Sequence, residues 1–215
     1  RGHRKDAGID ATTRRQYTSP DAATLPSHET LGSVIDHLRD VVPDRPTVAV
    51  RDGDAFVERD ARWFSTQVER LARGLIGAGV RHGDRIAVHS RTRVEFTLLD
   101  YAAWRVGAVV VPLYETSSAD QVAWIIADSG ARLLIAEDAA LAARQAEVAE
   151  RTPDCGRVLV LEDGGTAELA ELGEGVLTAE VTARAAAVRP DDVATIVYTS
   201  GTTGPPKGCV LTHHN

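Results

Sequence analysis

The run Thr199-Ser-Gly-Thr-Thr-Gly-Pro-Pro-Lys207-Gly208 places four hydroxyls within positions 199–203, followed by glycine, two prolines and a single cation. Hydroxyls donate and accept hydrogen bonds, glycine lets backbone N–H groups approach a ligand closely, and an ammonium is a compact point charge. Together they form an inventory for holding a cluster of anionic oxygens such as a triphosphate. A hydrophilic turn is the plainer reading of a stretch rich in Gly, Ser and Thr. Two features oppose it. A turn needs no such density of hydroxyls, and of the 24 lysine and arginine residues only Lys5 and Lys207 are lysines. A lysine in a chain that otherwise uses arginine marks a place where a point charge serves better than a planar guanidinium.

The run is not a Walker A motif, in which Gly-Lys is followed by Ser or Thr and a helix. Lys207 follows Pro206, precedes Gly208, and leads into Cys-Val-Leu-Thr, which has strand character, as does Val193 to Tyr198 before the run. The expected cradle is strand, loop, strand, with Cys209 to Thr212 pairing against Val193 to Tyr198. Without a helix N-terminus, the anion falls to Thr199, Ser200, Gly201, Thr202, Thr203, Gly204 and Lys207 themselves. Other signals carry less. Gly173-x-Gly175-x-x-Thr178 lacks the third glycine of a dinucleotide fingerprint and follows no strand. His213 and His214 are adjacent, which on a strand sends them to opposite faces, and no pair of histidines has zinc-ligand spacing. His28, His37, His82 and His89 read as surface or packed residues, and Trp63, Trp104 and Trp124 as core or interface. Cys155 and Cys209 form no C-x-x-C and are expected to be reduced and packed. No Gly-x-Ser-x-Gly supports serine hydrolase chemistry.

The elements that must position this run alternate along the chain. Leu31, Val34, Ile35, Leu38 and Val42 repeat at helical spacing until Pro43, and Thr47 to Val50 with Asp52-Gly53 suggests a hairpin. Phe64, Val68, Leu71, Ala72, Leu75 and Ile76 form a helical stripe, with Thr66 and Glu69 spaced as a capping box and Gly77 or Gly79 closing it. Strand runs at 86–89, 109–113, 133–136 and 158–161 then alternate with helical patterns at 94–106, 118–130 and 139–150. This pitch predicts βαβ units: an α/β fold with a mainly parallel sheet and helices on both faces. Residues 163–190 are rich in glycine and acid and read as a surface excursion with a helix near Thr178 to Ala187. Residues 1–28 show no apolar period and read as an extended arm before a domain portion spanning 29–215.

The 215 residues are 43% hydrophobic and 26% charged, an ordinary globular composition with enough length to bury a core. The formal charge of -7 and the scattered basic residues exclude a nucleic-acid partner. Val106 to Leu113, the longest apolar stretch, falls far short of the ~20 residues that span a bilayer, and no apolar signal region follows the basic N-terminus. The chain therefore reads as soluble and cytoplasmic. It contains no methionine and begins with arginine, so a fragment of a longer protein is expected.

Tyr198-Thr-Ser-Gly-Thr-Thr-Gly-Pro-Pro-Lys-Gly208 resembles the phosphate-loop signature of the adenylate-forming (AMP-binding) enzymes. Within that family the chain is most similar to bacterial long-chain fatty-acyl-CoA synthetases, through Ser90-Arg-Thr-Arg-Val-Glu-Phe, Val111 to Ser118, Gln121 to Gly130 and Cys209 to Asn215. The resemblance runs from about residue 30 to the end and is weakest over 138–190. It implies an incomplete N-terminal part of the large adenylation domain, cut after the phosphate loop. It also implies ATP-dependent activation of a long-chain fatty acid to an acyl-adenylate and then an acyl-CoA. ATP, Mg²⁺ and coenzyme A are the implied cofactors and co-substrates, with Thr199 to Gly204 and Lys207 on the β- and γ-phosphates, Lys207 as the catalytic cation and Thr199 sharing in Mg²⁺. The remaining pockets and acids of the family lie downstream, so the fragment alone is expected to be inactive. Peripheral contact with the inner membrane surface and assembly into homo-oligomers stay open. So do two other functions: an acyl- or aryl-adenylating ligase that loads a carrier protein, and a non-catalytic ATP-binding module.

Overall fold

A computed structural model of the chain describes residues 29–199 and 204–215. The arm expected over residues 1–28, and Ser200, Gly201, Thr202 and Thr203 of the hydroxyl-rich run, lie outside the described residues. A short 3₁₀ turn, Leu31–Ser33, leads into α1 (Val34–Asp40). A two-stranded antiparallel ribbon follows, β1 (Pro46–Asp52) and β2 (Ala55–Asp60), and then α2 (Ala61–Gly77). The alternating part comprises β3 (Arg85–His89), α3 (Val94–Arg105), β4 (Val109–Leu113), α4 (Ala119–Ser129), β5 (Leu133–Ala136), α5 (Ala139–Ala146) and β6 (Arg157–Val160). Two helices, α6 (Gly165–Leu172) and α7 (Thr178–Ala187), precede β7 (Val193–Thr199) and β8 (Lys207–Thr212).

The main sheet runs in the order β6-β5-β3-β4-β7-β8, all neighbours parallel except the antiparallel β7/β8 pair. The central strands are apolar at nearly every position because both faces are covered. On one face Ile86, Val88, Val110, Leu133 and Ile135 pack against α2, α3, α6 and α7. On the other, Ala87, Val111, Leu113 and Leu134 pack against Val122, Ile125 and Ile126 of α4. Each fully buried Val, Leu or Ile side chain among these contributes roughly 1.5–3 kcal/mol from apolar surface removed from water. The expected α/β class and strand positions are what the chain adopts.

Four local expectations are corrected. Residues 163–190 are not a surface excursion: Leu169 of α6 and Val181 of α7 are buried in the core, and α6 lies directly on α2. It comes so close because Gly74 and Gly77 of α2 have no side chains; a Cβ at either would collide with the Leu169 or Leu172 carbonyl. The α2 N-terminus is capped by Asp60, whose carboxylate accepts from the Trp63 N–H at 2.8 Å, and not by Thr66, which lies inside the helix. The expected cap failed because the stripe was read from Phe64, while Ala61 is as deeply buried as any core residue. Cys209 is exposed, since it lies on the edge strand β8, whereas Cys155 is buried. His213 and His214 sit in a turn beyond β8 instead of on a strand. His213 is buried there, and its Nδ1 accepts the Leu31 N–H at 3.3 Å.

Candidate functional site

The hydroxyl-rich run connects two antiparallel strands, as the absence of a Walker A pattern predicted. In the β7/β8 register Thr199 is opposite Lys207, and Tyr198 is opposite Gly208. Opposite residues in an antiparallel ladder share a face, so Thr199 and Lys207 stand together at the mouth of the hairpin. Both are exposed. Tyr198 faces the other way and is buried. Its ring explains Gly208: a Cβ there would lie 2.8 Å from Ile196 Cγ2 and 3.1 Å from Tyr198 Cζ. Gly204 turns the chain with φ of 88°, a left-handed conformation that disfavours any side chain.

Open α/β sheets bind ligands outside the carboxyl ends of their strands. A cavity of about 310 Å³ lies there, lined by Ser90, Thr92, Phe96, Pro112, Tyr114 and Val197. Val197 and Thr199 are two residues apart on one strand, so the Thr199–Lys207 pair lies on the strand face from which Val197 lines the cavity. The loop between β3 and α3 that forms its wall is held by Glu137 at the end of β5. That carboxylate accepts from the Arg91 N–H at 2.8 Å, the Arg91 guanidinium at 3.0 Å and the Ser90 hydroxyl at 3.2 Å. The Arg91 hydrogen bonds, chiefly, hold the Glu137 carboxyl at about 2. At the end of β3, the buried His89 donates from Nε2 to the carbonyl of Tyr114 in the cavity lining at 3.0 Å, and burial keeps its pKa below the ordinary value.

A larger open groove of about 700 Å³ lies between the β1/β2 ribbon and the same loop. Its charges are already engaged, Arg91 with Glu137, Arg93 with Glu95 and Arg51 with the Gly53 carbonyl, and among the described residues none of β7 or β8 lines it. The smaller cavity is the better site. Among the described residues no group of three or more His, Cys, Asp or Glu side chains could hold a metal ion.

The family described as AMP-binding enzyme matches residues 43–215 of the chain. The chain belongs to the AMP-binding enzyme family. A long-chain-fatty-acid–CoA ligase, FadD15 of Mycobacterium tuberculosis, is 40% identical over 205 residues, covering 94% of this chain and 34% of the ligase. A 2-succinylbenzoate–CoA ligase of Geobacillus kaustophilus is 34% identical over 179 residues, covering 81% of this chain and 31% of that protein. Among solved structures, a long-chain-fatty-acid-CoA ligase of Archaeoglobus fulgidus superimposes with a TM-score of 0.75 at 26% identity, covering 93% of this chain and 39% of that one. The chain thus spans about a third of the length of the curated relatives it matches and adopts the N-terminal α/β part of this family's fold. No helix among the described residues is long and apolar enough to cross a membrane.

Of the site residues expected from sequence, the structure brings Thr199 and Lys207 together and puts Gly204 at the turn between them; Ser200 to Thr203 lie outside the described residues. Sequence reasoning missed the groups that hold the site from outside it. Glu137 is one. Trp124 is another, read as core or interface but in fact 40% exposed, with Nε1 donating to the Pro206 carbonyl at 2.9 Å. Asp128, which accepts from the Tyr198 hydroxyl at 2.6 Å, is a third. The available signal was the spacing of Trp124 and Asp128, four apart on a helix whose apolar positions lie on another face.

Proposed function

We propose that the protein to which this chain belongs activates a carboxylic acid with ATP, forming an acyl-adenylate that coenzyme A then captures, and that its acid is a long-chain fatty acid. The observation that carries the reading is the Thr199–Lys207 pair at the mouth of a strand-loop-strand hairpin, beside a cavity at the carboxyl ends of β3, β4 and β7. In the adenylation step a carboxylate oxygen bonds to the α-phosphorus and the bond to the β-phosphate bridge breaks, leaving its electron pair on pyrophosphate. Lys207 is placed to offset that charge, while Thr199 and Gly204, together with Ser200, Gly201, Thr202 and Thr203, hold the β- and γ-phosphates. Such chemistry depends mainly on positioning and charge stabilisation.

The donor set fits Mg²⁺ carried by the nucleotide. The exposed Thr199 hydroxyl offers one hard oxygen, as suits an ion that keeps several waters and binds through phosphates. Bound there, Mg²⁺ would supply further neutralisation of phosphate charge, with Thr199 as its protein ligand. The long-chain assignment draws on the 40% identity to the mycobacterial fatty-acid ligase. A second reading, activation of an aryl acid, draws on the 34% identity to the 2-succinylbenzoate ligase. The decisive experiment measures pyrophosphate release by the protein at its natural length with palmitate, acetate, benzoate and amino acids. Palmitate is expected to be far the fastest. A preference for benzoate or an amino acid overturns the long-chain assignment, and no release with any acid overturns the activity.

A further inference from the structure

Trp124 and Asp128 lie one turn apart on α4, at the i, i+4 spacing that places two side chains on one helical face. Each reaches a different arm of the hairpin assigned to phosphate, Asp128 the strand β7 and Trp124 the residue just before β8. Asp128 accepts the Tyr198 hydroxyl at 2.6 Å, immediately before Thr199, and Trp124 donates to the Pro206 carbonyl at 2.9 Å, immediately before Lys207. The two residues assigned to phosphate are thus each one peptide away from a tie to the same helix.

The helix is a fixed platform. Ser118 and Gln121 close a reciprocal capping box at its start, Gly130 closes its end in the left-handed conformation, and Val122, Ile125 and Ile126 anchor it in the core. Trp124 is 40% exposed, so its placement is poorly explained by burial of its ring and well explained by the N–H it directs at Pro206. The Tyr198 phenol is buried, and burial followed by the neighbouring Asp128 carboxylate raises its pKa, so that it remains a donor at any ordinary pH. A loop that must order itself around a polyanion loses affinity to that ordering, and a loop already held does not.

We propose that Trp124 and Asp128 are positioning residues that preset the hairpin for the polyphosphate of a nucleoside triphosphate. The proposal rests on the function proposed above for that hairpin. Neither side chain touches the ligand; both act through the backbone beside Thr199 and Lys207.

The test uses Trp124→Phe, which deletes the indole N–H and keeps an aromatic ring, in the protein at its natural length. Calorimetric titration with Mg·ATP and steady-state kinetics should show Kd and KM for ATP raised threefold to tenfold, the size expected from one lost hydrogen bond. At saturating ATP, kcat and the KM for the acid should stay within twofold. Without nucleotide, amide hydrogen exchange at Gly204, Lys207 and Gly208 should accelerate. Tyr198→Phe, which releases the other tie and keeps the ring over Gly208, should reproduce this pattern and provides the test if Trp124→Phe does not fold. Faster exchange with unchanged ATP affinity would overturn the proposal, reducing the ties to packing. Equal losses in kcat and in the KM values of both substrates would also overturn it, pointing to general damage. If wild-type protein binds Mg·ATP and both variants bind it equally well, only the positioning role fails. If wild-type protein does not bind Mg·ATP, the phosphate reading of the hairpin fails and this proposal with it.

Discussion

Lys207 is the single lysine among the described residues, and the residue opposite it in the hairpin register is Thr199. If the ammonium offsets charge that develops as pyrophosphate departs, Lys207→Ala should lower kcat by about 10²-fold while changing the KM for the acid much less. Lys207→Arg should recover only part of the loss, because a guanidinium is broader and differently hydrated. An unchanged kcat would leave the hairpin a mere turn. Glu137 makes a prediction of a different kind. Its carboxyl is held near 2 against an ordinary 4.5, first by the hydrogen bonds of the Arg91 guanidinium. A depressed carboxylate contributes stability that is fully present above the unfolded value and lost as the pH falls through the folded one. The melting temperature should therefore decline between pH 4.5 and about 2, and Glu137→Gln should flatten that segment of the profile. His89 and His213, both lowered chiefly by burial, act in a separate window and cost stability as the pH falls below their ordinary 6.5.

Among the elements, α2 shows how a helix can be recognised and its start misplaced. The apolar stripe from Phe64 to Ile76 is unambiguous, but the first helical turn carries the small residue Ala61 and the half-buried Trp63, which the stripe does not announce. Asp60 does the capping, and Thr66 instead donates to the Arg62 carbonyl within the helix at 2.7 Å. Asp60→Ala should cost about 1 kcal/mol in chemical denaturation, the usual cost of losing an N-cap, whereas Thr66→Ala should cost almost nothing. Equal effects would mean that the cap assignment is wrong. The capping box at Ser118 and Gln121, by contrast, stands immediately before the apolar stripe of α4 that it serves. The hairpin β7/β8 obeys a constraint of its own. Gly208→Ala should force Tyr198 or Ile196 aside and destabilise by roughly 1–3 kcal/mol, as overpacking does.

Across the molecule, the half of the core facing α2 is assembled from segments far apart in sequence. Arg105, 2% exposed, holds Asp36 of α1 and Glu69 of α2, so that three helices share one buried cation. On the far side of α2, α6 sits on the backbone at Gly74 and Gly77. Gly74→Ala should push α6 off α2 and lower the unfolding free energy by roughly 1–3 kcal/mol, even though alanine is the better helix former by about 1 kcal/mol. A stabilised variant would show that this close approach does not constrain the fold. The cavity beside the hairpin depends on the same global arrangement, since its walls come from the ends of β3, β4 and β7.

The sequence determined the α/β class, the central strands and the strand-loop-strand character of the hydroxyl-rich run, and it nominated Lys207 and Thr199 as candidates. These rest on local signals: near-continuous apolar runs, alternation at a fixed pitch, and a lysine set among hydroxyls. The tertiary structure alone decided that β7 lies beside β4, that residues 163–190 close the core, and that Glu137, Trp124 and Asp128 hold the site. Each of these depends on contacts between residues 46 to 85 positions apart, or on two glycines that matter only once another helix lies against them. Local propensity and periodicity report which face of an element is apolar. They do not report what that face, or a single polar group beside it, will meet.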